Sequence, residues 1–432
     1  MINFDIILSN KIKNKKLNKL EIDSAIKQIV DGSIPDYKIA AFLTAIYING
    51  MNDDELFNLT ISMRDSGNTI NFLDKGYIID KHSTGGIGDK VTLIVTPIVA
   101  SLGLKVAKMS GTGLGITGGT IDKLNSVNIK TKLSIIDAEK MLDKYNMFLI
   151  EQTSGMVPAD GILYKLRDVT STIDSIPLII SSIMSKKLAI KSNHIYLDVK
   201  VGKGAFFSNN IEAKLFSKKA IFIAKKCKQK LTCSLTDMNK PLGNAIGNRL
   251  EIYESLKFLN GEFISKKLKE LIYFFIGEIM IDANIINSMS EAKLKIDDLI
   301  KSKKPLTLFL EYARELGYEE KNSFETIIEA KYTQDIKAKK YGYFNSPNAY
   351  IIGMIALDMK AGRKLKSDII DPYAGILFLK DENEIVEENE IIARLYSSNK
   401  IHQEIIDRVN DSIKISKSKA RESKIIIEVI NE

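Results

Sequence analysis

The sequence has very few of the residues that build disulfide frameworks and zinc sites. Among 432 residues there are two cysteines, Cys227 and Cys233, and three histidines. Neither cysteine has a histidine close to it in the sequence, and they fall in a lysine-rich predicted helix and an apolar predicted strand. The pattern argues against a disulfide-stabilised or zinc-binding protein and predicts two free thiols in a reducing, cytoplasmic environment.

Long apolar runs are also missing. No uninterrupted stretch reaches the roughly 18 residues of a membrane-spanning helix. Proline, glycine and serine interrupt the best candidates, 91–107 and 176–184. Residues 1–13 do not have the pattern of a secretion signal. We therefore expect a cytoplasmic protein without a membrane segment.

Positive charge is in excess but is not concentrated. The net charge is +8, and the lysines are spread along the whole chain, without an arginine-rich tract or a basic stripe interleaved with aromatic residues. This distribution argues against a nucleic-acid partner. A positive field would still help to attract an anionic substrate such as phosphate.

Hydrophobic periodicity indicates which segments form helices and strands. Amphipathic helix patterns fill the first part of the chain, and strand and helix patterns then alternate. Two further helices are predicted within 159–190, divided at 174–177. The other predicted elements are helices at 21–30, 40–49, 53–65, 92–102, 137–146 and 211–228, and strands at 77–80, 105–109, 148–151, 195–201, 231–235, 376–380, 390–396 and 425–430.

The alternation of strands and helices predicts an α/β fold with a parallel sheet. Helical segments interrupt this pattern, so the chain must cross between domains several times. We therefore expect a substrate cleft between the domains. The predicted parts are a helical domain from 1–66 and 159–190, a larger mixed α/β domain from 77–150 and 195–330, a C-terminal α+β subdomain at 331–432, and hinges near 67–76, 151–158 and 191–194.

A first glycine-rich loop, 81–89, follows a predicted strand and precedes a predicted helix. Its glycines allow backbone amides to approach an anion closely. Ser83 supplies a hydroxyl, Lys81 a positive charge, and the following helix the positive end of its dipole. This combination suits phosphate.

A second glycine-rich loop, 110–122, follows the next predicted strand. The two loops should therefore lie at the same carboxyl edge of a parallel sheet, where ligands bind in such folds. Two loops of this kind at one edge favour a phosphate site more strongly than either loop does alone.

A third motif joins two neighbouring helices. Tyr164 and Arg167 are three residues apart on one helix, and Ser182 and Lys186 are four apart on the next, so each pair shares a face. Arginine, lysine and serine on converging faces suit a planar polar group with carbonyl oxygens, such as a pyrimidine.

Each of these motifs also has a purely structural alternative. The glycine-rich loops could be plain turns. Arg167 could form a salt bridge with Asp168 or Asp174, and Lys186 could be a solvated surface lysine. A lone histidine such as His82 is often a packing residue, although its position between Lys81 and Ser83 favours a functional role.

Together the three stretches closely resemble the thymidine and pyrimidine-nucleoside phosphorylase family. The matching segments are KHSTGGIGDK from Lys81, SGTGLGITGGTIDKL from Ser110, LYKLRDVTSTIDSIPLIISSIMSKK from Leu163, VKVGKGAF from Val199, TDMNKPLGNAIGNRLEIYE from Thr236 and GYFNSPNAYIIGMIALDMKAGR from Gly342. The resemblance implies a homodimer formed through the helical domain. It also implies reversible phosphorolysis of pyrimidine nucleosides, with inorganic phosphate as co-substrate and no required cofactor. It leaves open whether the enzyme accepts thymidine alone or uridine as well.

The resemblance also assigns roles to individual residues. Phosphate would be bound by Lys81, Ser83, Thr92, Ser110 and Thr120. The pyrimidine would be bound by Tyr164, Arg167, Ser182 and Lys186, with Leu114, Ile179 and Phe206 as the apolar wall. Three residues would be catalytic: Arg167 and Lys186 would stabilise charge on the leaving base, and His82 would act near the glycosidic bond as an acid or only as a hydrogen-bond donor.

The chain departs from the family pattern in and after the second loop. Thr112 and Ile116 stand where relatives usually have arginine and histidine, and Asn125 stands where they usually have glutamate. Ile116 cannot make the hydrogen bond through which that histidine ties the domains together. We therefore expect a less firmly held loop, with weaker phosphate affinity or slower turnover.

The resemblance further implies a monovalent cation site. Bacterial members bind potassium, and the corresponding ligands here would be Gly88, Leu242, Ala245 and Glu254, with a threonine usual at the position of Lys90. The lysine side chain could reach Glu254. We therefore expect its ammonium group to replace the ion.

Two rival interpretations remain at this point. An anthranilate phosphoribosyltransferase shares a similar fold, but it needs acidic magnesium ligands near its glycine loop, and this chain lacks that acidic pair. A degenerate relative that binds nucleosides with little turnover is the second rival, and a turnover assay separates it from an active enzyme.

Overall fold

The structure of the protein, a computed structural model, describes residues 1–113, 115–116, 118–153, 155–262, 264–320, 323–365 and 367–431. The predicted α/β class with a helical domain is confirmed. Within the described residues, no helix is both long enough and apolar enough to cross a membrane.

The amino-terminal segment forms four helices, three of which match the predicted ones, whereas the first was not predicted as a separate helix. Asn18 and Asn52 cap the second and fourth helices in capping boxes with Glu21 and Glu55, which satisfies part of the free amides of each first turn. Glu55 also accepts a hydrogen bond from Lys11 Nζ at 2.8 Å in the interior. The four helices are α1 (Phe4–Ile12), α2 (Lys19–Val30), α3 (Asp36–Asn49) and α4 (Asp53–Arg64).

The next segment alternates between strands and helices. Every residue of its first α-helix is buried, because that helix lies in the interior of the α/β domain. The elements are β1 (Ile70–Asn71), a 3₁₀ helix (Leu73–Lys75), β2 (Ile78–Ser83), α5 (Val91–Ser101), β3 (Lys105–Ser110), α6 (Thr120–Ser126), α7 (Ile135–Tyr145) and β4 (Met147–Glu151).

The chain then returns to the amino-terminal helices. It does so through α8 (Pro158–Val169) and α9 (Ile176–Ala189), followed by β5 (Ile190–Lys191). Helix α9 packs on α4, and α8 packs on α2 and α3. β5 pairs with β1 in a two-stranded parallel ribbon. This ribbon lies where the chain crosses between the helical and α/β parts.

The remainder of the α/β part follows. Its elements are β6 (His194–Val201), α10 (Asn210–Lys226), β7 (Lys230–Asp237), β8 (Ala245–Ile246), α11 (Asn248–Leu259), α12 (Lys266–Asp282), α13 (Met289–Lys301), α14 (Lys304–Glu315) and a second 3₁₀ helix (Phe324–Ile328).

The carboxyl-terminal part contains two small antiparallel sheets. Its elements are β9 (Tyr332–Lys337), β10 (Gly342–Asn345), α15 (Ala349–Asp358), β11 (Gly375–Phe378), β12 (Ile385–Val386), β13 (Ile391–Ser397), α16 (Gln403–Ser412), β14 (Lys414–Ser416) and β15 (Ile426–Ile430).

Strand pairing differs from the sequence expectation in two places. β15, assigned from the sequence to the C-terminal subdomain, is instead the antiparallel edge strand of the central sheet, beside β7. β8 in turn joins the C-terminal sheet beside β11. A Cβ at Gly375 would lie 2.2 Å from the Ile246 carbonyl oxygen, so glycine permits this close approach. Local sequence patterns indicate that a segment forms a strand, but they do not indicate which other strand it pairs with.

The central sheet has the order β15-β7-β6-β2-β3-β4. Strands β2 and β3 are parallel neighbours. The two glycine-rich loops therefore leave the same carboxyl edge, as predicted. The second loop ends at Gly119, earlier than the sequence suggested, because α6 begins at Thr120.

Candidate active site

A cavity of about 670 Å³ lies between the helical and α/β parts. The two glycine-rich loops line one side, and α8 and α9 line the other. A larger cavity, about 1010 Å³, lies against the C-terminal part and is lined by lysines such as Lys203, Lys337 and Lys414. None of the predicted site residues lines that larger cavity, so the smaller one is the candidate active site.

Four of the five predicted phosphate residues line the cavity. They are Ser83, Thr92, Ser110 and Thr120. Ser83 Oγ accepts a hydrogen bond from the Gly85 amide at 3.1 Å, which shapes the first loop. Thr92 lies in the first turn of α5, where free amides and the helix dipole favour an anion. Backbone amides and hydroxyls thus converge on one end of the cavity.

The fifth predicted phosphate residue, Lys81, points away from the cavity. Its Nζ lies 3.2 Å from Asp198 Oδ2 and 4.9 Å from the centre of the Phe275 ring. The side chain is fully buried behind the first loop. In this arrangement the Lys81 ammonium lies behind the loop and cannot contact a ligand in the cavity. Only its electrostatic field reaches that ligand.

Lys108, which the sequence analysis missed, does line the cavity. Its Nζ donates to the Lys81 carbonyl oxygen at 2.7 Å, and no carboxylate of the described residues pairs with it. Burial and the Lys187 ammonium hold the pKa of Lys108 well below its usual value. The available signal was strand periodicity, because Lys108 lies two residues before Ser110 and so faces the same side of β3.

Arg167 lies at the other end of the cavity. Its guanidinium donates to three backbone carbonyls of the α8–α9 connection and the start of α9. The acceptors are the carbonyl oxygens of Thr172 at 3.4 Å, Ile173 at 2.5 Å and Leu178 at 3.1 Å. Within the described residues, the alternative salt bridges to Asp168 and Asp174 are not formed. Three of its five N–H groups are thus used, and the others remain for a ligand.

Lys186 is partly buried in the cavity wall, with its side chain 13% exposed, and is not a solvated surface lysine. Its Nζ donates to Ser182 Oγ at 2.9 Å and to Asp160 Oδ2 at 2.5 Å. Sequence reasoning missed Asp160. The signal was helical spacing, because Asp160, Tyr164 and Arg167 occupy positions i, i+4 and i+7 on one face of α8.

The remaining pyrimidine contacts form the rim and wall of this end. The Tyr164 ring lies 5.8 Å from the Arg167 guanidinium carbon, and burial raises the pKa of Tyr164. Ile179 is buried, whereas Phe206 is 49% exposed at the cavity rim. Leu114, the third predicted wall residue, lies outside the described residues.

His82 lies between the two ends of the cavity. Its Nδ1 is buried and has no hydrogen-bond partner among the residues that the structure describes. Burial, reinforced by the ammonium groups of Lys187, Lys108 and Lys186, holds the pKa of His82 well below its usual value. The imidazole is therefore neutral near pH 7, and it can donate one N–H without acting as a cationic acid.

The second loop is held by an arginine from the C-terminal part. Arg363 Nη1 donates to Asp122 Oδ1 at 2.7 Å and to the Gly113 carbonyl at 3.2 Å. The Gly115 amide donates to the Arg363 carbonyl at 2.9 Å. Asp122 Oδ2 accepts from the amides of Gly113 and Gly119. Contacts from a distant segment thus brace the loop in which Thr112 and Ile116 replace the usual polar residues.

Lys90 occupies the predicted cation position. Its Nζ donates to the Leu242 and Ala245 carbonyls at 2.9 Å each and to Glu254 Oε2 at 2.6 Å. The ammonium is fully buried. Gly88 crowds the same site, because a Cβ there would lie 2.6 Å from the Leu242 oxygen. The ammonium fills the centre of these three oxygens, so the residues present do not fit a potassium ion.

Comparison with known families matches most of the chain. Residues 75–305 match the α/β domain of a glycosyl transferase family, and 6–67 match its helical bundle domain. Residues 343–416 match the pyrimidine nucleoside phosphorylase C-terminal domain.

Individual relatives agree with these matches. The chain is 41% identical over 419 residues to a thymidine phosphorylase of Mycoplasma genitalium, covering 95% of this chain and 99% of the relative. It is 39% identical over 430 residues to a pyrimidine-nucleoside phosphorylase of Staphylococcus epidermidis, covering 99% of each. With the corresponding protein of Bacillus subtilis the identity is 38% over 432 residues, again covering 99% of each.

Among solved structures, the chain is similar to anthranilate phosphoribosyltransferase from Thermus thermophilus. The TM-score is 0.59 at 13% identity, covering 72% of this chain and 99% of that one. A likeness at this identity concerns the fold alone and does not favour the rival activity.

Proposed function

The chain belongs to the thymidine and pyrimidine-nucleoside phosphorylase family, and on this premise we propose that it is a pentosyltransferase that splits pyrimidine nucleosides with inorganic phosphate. The products are the free base and a (deoxy)ribose 1-phosphate. The observation that carries the proposal is one cavity with two chemically different ends. Hydroxyls and amides suited to phosphate converge at one end, and Arg167, Ser182 and Lys186 converge at the other.

The two ends support a direct displacement. A phosphate oxygen attacks C1′ from the face opposite the base, the glycosidic bond breaks, and its electron pair leaves with the base. The sugar passes through a state with oxocarbenium character, and the configuration at C1′ is inverted. No covalent enzyme intermediate is needed.

The leaving base carries the developing negative charge on its carbonyl oxygens. Arg167 and Lys186 supply positive charge for these oxygens. His82, neutral in this environment, donates a hydrogen bond from its single N–H. Preorganised donors of this kind contribute about 10²–10³ in rate each.

The test is a turnover assay with thymidine, deoxyuridine, uridine and inosine, each with and without phosphate. We expect phosphate-dependent release of base from the pyrimidine nucleosides only. The ratio of uridine to thymidine turnover then defines the preference within the class. Folded protein that binds thymine but releases no base from any nucleoside would contradict the proposal and support the nucleoside-binding alternative.

We also propose a homodimer formed through the helical domain. Large apolar side chains are exposed there on α1, α3 and α8, and such a set is costly to leave in water. They are Ile6, Tyr37, Tyr47, Ile48 and Val169. A monomer at micromolar concentration in sedimentation experiments would contradict this. The free thiols of Cys227 and Cys233 support the proposed cytoplasmic location.

Finally, we propose that phosphate is the only co-substrate and that no potassium ion is required. The Lys90 ammonium already supplies a monovalent charge to the Leu242, Ala245 and Glu254 oxygens. Replacement of Lys90 by threonine, the residue usual in relatives, tests this proposal.

A further inference from the structure

A buried carboxylate, Asp160, lies beside the positive charges of Lys186 and Arg167 at the base end of the cavity. It is 3% exposed, and its Oδ2 lies 2.5 Å from Lys186 Nζ. Its charge also acts on the Arg167 guanidinium on the same helix face. Burying an ionised carboxylate costs free energy, so the presence of Asp160 in this buried position calls for an explanation.

Asp160 does not act as a capping residue of helix α8. It lies in the first turn of α8, where carboxylates often accept hydrogen bonds from free helix amides. Yet α8 has no side-chain capping bond. Its second oxygen, Oδ1, is buried and has no partner among the described residues. The one hydrogen bond that Asp160 accepts from the described residues comes from Lys186.

Asp160 is a partner that favours the charged form of Lys186. Burial lowers the pKa of Lys186, and the neighbouring charges of Lys187 and Arg167 lower it further, whereas Asp160 opposes these effects. Two further titratable groups at this end of the cavity are His82 on β2 and Tyr164 on α8. A neutral amine would be a poor stabiliser of negative charge on a leaving base.

We propose that Asp160 is a positioning residue that keeps the Lys186 ammonium charged and directed at the leaving base. The inference rests on the proposed phosphorolysis. Arg167 and Lys186 each contribute a positive charge at the base end of the cavity, and the Asp160 carboxylate neutralises one of the two. The net single positive charge matches the one negative charge that develops on the base.

The pairing is geometrically specific. Ser182 lies one turn before Lys186 on α9, and Asp160 approaches from α8, so the ammonium is held from two helices. With two of its three protons engaged, the third is left to point toward the cavity that Lys186 lines. Loss of Asp160 would free the Lys186 side chain to move and would also lower the charged fraction of its amine.

The test compares Asp160→Asn with the wild type over a range of pH. Where the pH lies above both the original and the new pKa of Lys186, each unit lost from that pKa reduces the charged fraction tenfold. We therefore expect the alkaline limb of kcat to move to lower pH. The loss of kcat should be greater at about pH 9 than at about pH 6, while the KM for phosphate changes by less than about twofold.

Asp168→Asn is the matched control, since it makes the same change on the same helix outside the cavity. It should leave the pH profile unchanged. A double-mutant cycle with Lys186→Gln adds a second readout, because Asp160→Asn should cost less than about twofold once the ammonium is gone.

Two results would overturn the inference. One is a loss of kcat in Asp160→Asn that is equal at every pH, which a merely structural role would produce. The other is full additivity with Lys186→Gln. If the wild type itself shows no phosphorolysis, the proposed function fails first. The pH dependence of thymine binding in calorimetry then tests the Asp160–Lys186 relationship separately, and an identical dependence in Asp160→Asn would refute it.

Discussion

Lys90 Nζ and Glu254 Oε2 lie 2.6 Å apart in the interior, although 164 residues separate them in the chain. Glu254 also accepts hydrogen bonds from the amides of Asn244 and Ala245. The ammonium thereby joins the start of α5, which carries the phosphate residue Thr92, to α11 and the segment before it. A cation here is part of the framework of the phosphate end.

Lys90→Thr should create a potassium-dependent protein. Removing one partner of a buried ion pair costs about 3–5 kcal/mol, and a potassium ion can restore the missing charge. We expect the Tm of the variant to be low in sodium or tetramethylammonium chloride and to rise in potassium chloride. The wild-type Tm and activity should not depend on the cation.

Lys90→Met is the control for this experiment. It removes the charge but fills the volume, so potassium should not rescue it. Wild-type turnover that requires potassium, or a Lys90→Thr variant that no cation stabilises, would show that the ammonium does not replace an ion.

Lys108→Met should weaken phosphate binding without weakening the fold. A lost hydrogen bond to a charged ligand costs about 1.5–3 kcal/mol, or about 10- to 100-fold in phosphate affinity. Because Lys108 is buried without a carboxylate partner among the described residues, its replacement should leave the Tm unchanged or raise it. Phosphate calorimetry and thermal unfolding measure the two effects.

Lys105→Met, in the same strand, is the matched control for Lys108. Lys105 Nζ donates to the Leu142 carbonyl, and the side chain does not line the cavity. A Lys108→Met variant with a lower Tm and normal phosphate affinity would identify Lys108 as a structural lysine.

The expected pH dependence of kcat follows from the direction in which the pKa of His82 is shifted. A pKa held below 6.5 means that the ring stays neutral while pH falls through that value. We expect kcat of the wild type to stay level through pH 6.5, and His82→Gln to lose about 10²–10³ in kcat at every pH. An acid–base limb near pH 6.5 that disappears in His82→Gln would instead identify a cationic acid.

Arg363→Met should loosen the second loop. Its bonds to Asp122 and to the Gly113 carbonyl connect the loop to the C-terminal part. We expect the KM for phosphate to rise about tenfold or more, in line with a lost charge-assisted hydrogen bond. Arg394→Met, which breaks an ion pair with Asp335 between two strands of the C-terminal sheet, should leave that KM unchanged.

The double variant Thr112→Arg, Ile116→His restores the residues usual at these positions. If their absence weakens the loop, the variant should show a lower KM for phosphate or a higher kcat than the wild type. Steady-state kinetics with phosphate as the varied substrate decide this. Identical constants would indicate that the Arg363 contacts already hold the loop sufficiently.

Much of this protein could be predicted from the sequence because the relevant preferences are local. Capping residues, helical periodicity and glycine loops act over a few residues, so three of the four helices of the first segment and the first strand–loop–helix unit were predicted to within a few residues. Helices α1 and α6 were not predicted. Tyr164, Arg167, Ser182 and Lys186 could be grouped for the same reason, since spacings of three and four place residues on one helix face.

Only the tertiary structure decided which distant groups meet. Asp160 and Lys186 are 26 residues apart, and Arg363 and Asp122 are 241 apart. The orientation of Lys81 toward Asp198, away from the cavity, depends on a contact 117 residues distant. Local preference determines that a strand or a charge is present, but the partner that satisfies it is selected by burial, because a buried charge is stable only where the fold supplies its counterpart.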